Sequence, residues 1–125
     1  MKKAISIPGA PAPIGPYSQA IVKNNTLFVS GQIPLNPISG ELVLDSIDSA
    51  TKQVMENIKS LIAAAGFEMT DIVKCSIFLQ SMDDFSVVNA RYAEYFKNEP
   101  PARETVEVSK LPLGVPVEIS CIAIK

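Results

Sequence analysis

The sequence predicts an α+β fold, a mixed β-sheet with two amphipathic helices on one face, in the order β-β-α-β-α-β-β. Three observations predict it. Short β-branched and apolar runs are bounded by Asn, Gly and Pro; two other stretches carry apolar residues at three- and four-residue steps; and a strand–helix–strand step occurs twice. The 125 residues fit a single domain spanning 1–125, and a composition 47% apolar and 19% charged is enough to fill a core.

Four of the ten prolines fall between Pro8 and Pro16, interleaved with Gly9 and Gly15, so this segment is a loop. A further short strand is expected before it, at Lys3 to Ser6. Tyr17 to Lys23, the Asn24-Asn25 turn and Thr26 to Gly31 form a hairpin. Pro34, Pro37 and Ser39-Gly40 mark a second loop. The first helix has a stripe of Ile47, Ala50, Val54, Ile58, Leu61, Ile62 and Ala65, with Asp45 or Ser46 as its cap and Gly66 at its end. Ile72 to Leu79 is a strand. The second helix runs from Asp83 or Asp84 to Phe96, with Phe85, Val88, Tyr92 and Tyr95 or Phe96 inward, and Pro100-Pro101 stops it. Two final strands, Arg103 to Val108 and Val117 to Ile124, flank a loop from Leu111 to Pro116.

Both faces of these strands are apolar: Val73, Cys75, Ile77 and Leu79 alternate with Ile72 and Phe78. Two helices cover one face only, so the other must be covered by association, and a homo-oligomer is expected.

Thirteen acidic against eleven basic residues, a net charge of −2, argue against nucleic acid as a partner. Histidine is absent, which removes the usual imidazole base and every His-built metal or triad site. Cys75 and Cys121 lie in apolar runs and read as reduced core thiols. The start, Met1 to Pro8, is too short for a signal-peptide core, and no run approaches the ~18 apolar residues of a membrane span. A cytoplasmic protein with no membrane partner and no metal or cofactor is expected.

Few residues are left to carry chemistry. Arg91 has acidic neighbours such as Glu94 and reads as a solvated ion pair. Arg103 opens a strand on which Arg103, Thr105 and Glu107 share one face. Its guanidinium would either grip a small carboxylate or tie a loop down through carbonyls or Glu107. Glu118 is the sole acid in a strongly apolar strand, either a half-buried proton acceptor or an outward edge charge. Gly31 ends a strand, where a ligand could approach the backbone. Tyr17 follows the Pro-rich loop and is a ligand cover or a loop anchor, and Asn89 projects from the second helix.

Several separated segments carry a resemblance: Gly15-Pro16-Tyr17-Ser18-Gln19-Ala20, Val29-Ser30-Gly31-Gln32-Ile33-Pro34, Pro101-Ala102-Arg103 followed by Val106-Glu107-Val108, and Leu111-Pro112 leading to Val117-Glu118-Ile119. In this order they make the chain closely resemble the RidA (YjgF) family of reactive intermediate/imine deaminases. The resemblance implies a chorismate-mutase-like fold, a homotrimer whose sheets face a central barrel, and pockets between subunits. It also implies cofactor-independent hydrolysis of 2-imino acids, formed from the enamines of pyridoxal-phosphate dehydratases, to 2-keto acids and ammonia. It places the carboxylate-binding arginine at Arg103, the water-holding glutamate at Glu118, the pocket glycine at Gly31 and the loop tyrosine at Tyr17. Ser30 and Asn89 fall at further pocket positions. Thr105 stands where the family often has a cysteine. A second reading is a small-carboxylate binding or regulatory protein with the same inter-subunit pocket and no turnover.

Overall fold

The computed structural model describes residues 1–10 and 12–125. Its elements are β1 (Lys3–Ile5), β2 (Ala20–Lys23), β3 (Thr26–Gln32), α1 (Ile47–Ala64), β4 (Ile72–Leu79), α2 (Phe85–Ala93), β5 (Ala102–Glu107) and β6 (Val117–Ile124). The short first strand is therefore present and pairs with β2. The described part of the Pro8–Pro16 loop holds neither helix nor strand, and Pro11 lies outside the described residues. One six-stranded mixed sheet results, in the order β1-β2-β3-β6-β4-β5. β6 runs antiparallel to both β3 and β4, so α1 links two parallel strands across it, and α2 links the adjacent parallel pair β4 and β5.

Each helix end has a local cause. The Ser46 hydroxyl accepts from the Ser49 N–H at 3.0 Å and caps α1. At the other end Gly66 has φ +79°, a left-handed conformation that favours glycine, just after the last helical turn. The second helix is shorter than its sequence pattern: it begins after a 3-10 turn, Met82–Asp84, and ends at Ala93. Beyond Ala93 the chain tightens, with Tyr95 donating to the Tyr92 carbonyl at 3.0 Å and Phe96 to that of Ala93 at 3.2 Å. The two helices are tied by a two-pronged Arg91–Asp48 pair at 3.0 and 2.8 Å, with Glu94 more distant at 3.4 Å. Arg91 is thus an ion-pair residue, but its main partner lies on the other helix.

Both helices pack on the face carrying Val29, Cys75, Ile77, Ile119 and Cys121, all buried. Burial pushes the Cys75 and Cys121 thiols up, so both are protonated core groups. One expectation of strand parity fails. A register shift between Ile72 and Lys74 turns Ile72 into the core and leaves Val73 44% exposed, because a bulge inverts the alternation at that point. The opposite face has no helix over it. Phe28, Val106 and Ile124 remain 49%, 42% and 49% exposed there. No helix among the described residues is long and apolar enough to cross a membrane.

Candidate functional site

Arg103 is the second residue of the edge strand β5, which follows Pro100 and Pro101; α2 has already ended at Ala93, well before the two prolines that the sequence suggested would stop it. Arg103 is paired with Cys75, so its side chain rises on the helix-covered face, beneath α2. There its guanidinium lies 5.0 Å from the centre of the Tyr92 ring and 5.8 Å from that of Phe85. One N–H donates to Asn89 Oδ1 at 2.9 Å. No carboxylate pairs with it among the described residues. Glu107, the partner that would have tied it down, instead accepts from the Met82 N–H at 2.8 Å. A guanidinium has five N–H donors, so most of this fork is available. It opens on a cleft of about 340 Å³ walled by Tyr92, Ala93, Phe96, Pro100 and Pro101, with Asn89 on its rim. That is a cation over an apolar floor, the chemistry that holds a small carboxylate.

Thr105 follows on the same face, opposite Ile77. Its hydroxyl is buried and without a hydrogen-bond partner among the described residues. The side chain therefore points away from open solvent in this chain.

Glu118 occupies the other side of the sheet. It pairs with Phe78, which pairs in turn with Val106, so all three project from the face without helices. The carboxylate is half-buried and has no ion-pair or hydrogen-bond partner among the described residues; burial alone raises its pKa above the ordinary value. It is folded over Gly31: a Cβ at that position would stand 2.6 Å from Glu118 Cδ and 3.0 Å from Cγ. A methyl group here would push the end of the Glu118 side chain aside, so glycine serves close approach of the acid rather than a special backbone angle. The register shift in β3 between Val29 and Gln32 brings Gly31 under the acid. Asn57, buried on α1, then holds the chain leaving β3 by donating to the Ile33 and Leu35 carbonyls at 3.2 and 2.9 Å. Ser30 donates to the Ser18 carbonyl at 2.7 Å, which fixes the Tyr17–Gln19 segment beside this strand. Tyr17 itself is 56% exposed.

The expected residues therefore form two clusters. Arg103 and Asn89 share the α2 side with Thr105; Glu118, Gly31 and Ser30 share the strand region that carries the acid, with Tyr17 on the adjoining loop. Within one chain the guanidinium and the carboxylate project from opposite faces of the sheet. The aromatic support from Phe85 and Tyr92 was missed in the sequence, where both read only as inner-face residues. The available signal was their seven-residue spacing, which puts them on one side of α2.

The fold and these clusters define a class: a mixed α+β domain with an unpaired arginine in an apolar cleft and an isolated glutamate pressed on a glycine. The chain belongs to the endoribonuclease L-PSP family, the RidA (YjgF) family, whose model matches residues 8–125. It is 50% identical over 125 residues to a RutC family protein of Pyrococcus horikoshii, covering 100% of this chain and 99% of that one. It is also 42% identical over 125 residues to the 2-iminobutanoate/2-iminopropanoate deaminase of Bos taurus, covering 100% of this chain and 91% of that protein. A Thermotoga maritima crystal structure superposes with a TM-score of 0.96 at 48% identity, covering 100% of this chain and 98% of that chain.

Proposed function

We propose that this protein is a 2-imino acid deaminase, hydrolysing 2-iminobutanoate and 2-iminopropanoate to the 2-keto acids and ammonia. The observation that carries the reading is an arginine fork open to a cleft with no carboxylate partner among the described residues, together with a half-buried carboxylate that has no partner among them. A relative at 42% identity that bears the deaminase name supports it.

In this reading Arg103 takes the substrate carboxylate through two parallel N–H bonds, which sets the position of the imine carbon. Glu118, ionised, holds a water and accepts its proton as the oxygen attacks that carbon. Starting from the protonated imine this gives a neutral carbinolamine; Glu118 returns its proton to the nitrogen, ammonia leaves, and the hydroxyl proton passes to the Glu118 carboxylate, leaving the keto group. Water is the only co-reactant.

Because the two groups leave opposite faces of one sheet, the pocket is assembled from two copies. One supplies Arg103 and Asn89, and its neighbour supplies Glu118, Gly31, Ser30 and Tyr17. The exposed apolar face bearing Phe28, Val106 and Ile124 supports such an association, and a closed trimer with three equivalent pockets satisfies it. The family description also names an endoribonuclease. A net charge of −2 and the absence of histidine favour the imine chemistry over binding a polyanion.

The test couples the purified protein to a threonine dehydratase and follows 2-ketobutyrate. Release of the keto acid faster than the uncatalysed rate, lost in Arg103→Ala, is expected. No acceleration, with 2-ketobutyrate still bound, would make the protein a carboxylate-binding module instead.

A further inference from the structure

Arginine in water samples many rotamers, and a fork that must receive a planar carboxylate loses affinity if its plane wanders. Among the described residues one hydrogen bond, to Asn89, restrains the guanidinium of Arg103. A single contact at one terminal nitrogen leaves rotation about the last bonds free. What removes that freedom is aromatic: the Tyr92 ring at 5.0 Å and the Phe85 ring at 5.8 Å, seven residues apart on α2. The Tyr92 hydroxyl is buried beside the Cys75 thiol, and no hydrogen bond of full geometry holds it among the described residues. It contributes nothing to the cleft, so the residue acts there through its ring. Tyr92 also packs against Phe96, with ring centres 4.8 Å apart and the planes tilted by 47°, which helps to fix the ring in turn.

The geometry points to Tyr92 as a positioning residue for substrate binding, with Phe85 as its weaker second: their rings hold the Arg103 guanidinium in the plane that meets the substrate carboxylate. This deepens the deaminase reading and rests on it. Tyr92 also walls the cleft, but it brings no group to the reaction itself, and its proposed effect on the carboxylate passes through Arg103. The attraction of a cation to a ring face grows as the pair is shielded from water; the Tyr92 ring is buried beneath α2, and the Arg103 fork is partly exposed at the cleft.

The experiment is a binding titration of the intact protein with 2-ketobutyrate and with its uncharged amide, 2-oxobutanamide. The ratio of the two affinities reports the carboxylate clamp, and a general loss of packing would weaken both ligands alike. Tyr92→Phe should keep the ratio within about twofold of the original, because the ring remains. Tyr92→Leu should lower it about five- to tenfold, through weaker 2-ketobutyrate binding, with KM for the imino acid raised more than kcat is lowered. If Tyr92→Leu does not fold, Phe85→Leu carries the test, with a smaller fall in the ratio. An unchanged ratio in whichever of these leucine variants folds overturns the inference. That failure is separable from failure of the functional reading, in which the original protein shows no preference for 2-ketobutyrate or Arg103→Ala keeps it.

Discussion

Glu118 shows how one residue's surroundings set its chemistry. An acid between Val117 and Ile119 on a half-buried strand loses hydration, and its pKa rises. A carboxyl raised in the folded state contributes its full stability while protonated, and that stability falls as pH increases through the raised value. Replacing it with Gln should therefore stabilise the protein at neutral pH and bring no gain in acid, as denaturant midpoints across pH will register. For catalysis the sign reverses, since the base must be ionised. The acid limb of kcat/KM should lie above the ordinary 4.5. In Glu118→Gln that limb should vanish and kcat fall about 10²-fold or more; an unchanged limb would remove Glu118 as the base. Gly31→Ala should displace the carboxylate, because the added methyl would overlap Glu118 Cδ and Cγ. A loss of about 10²-fold in turnover with 2-ketobutyrate binding kept is expected. The oddity of Glu118 and Arg103 was legible in the sequence, since each interrupts a pattern. The contact between Glu118 and Gly31 was not, because it depends on a bulge that moves one strand past another.

At the scale of elements, patterning was a sound guide wherever a single period governed. The apolar stripe from Ile47 to Ala65 became α1, and Ile72–Leu79 and Val117–Ile124 became strands with those ends. It failed where geometry departs from its period: at the bulge that exposes Val73, and at the tightened end of α2. Ser46 rather than Asp45 caps α1, by the bond to the Ser49 N–H. Ser46→Ala should cost about 1 kcal/mol in chemical denaturation, and Asp45→Ala much less. Equal effects would remove the Ser46 hydroxyl as the specific cap of α1.

The whole molecule has one sheet face covered by helices and one left apolar and exposed, and in the proposed reading this asymmetry makes the site a property of more than one chain. Mixed oligomers of Arg103→Ala and Glu118→Gln subunits, each inactive alone, should regain about a quarter of the original activity, because random pairing leaves that share of interfaces with both groups intact. No recovery after confirmed mixing would place the whole pocket within one chain. Hydrophobic periodicity and residue chemistry are local, so they were enough for the order of the elements, for a sheet with two helices on one face, and for the two polar residues out of place, though not for the ends of α2. Only the tertiary structure decided which face each of those residues takes, because facing is set by strand register, and register is fixed by pairing between segments distant in the chain. Cys75 opposite Arg103 and Phe78 opposite Glu118 send the two groups apart.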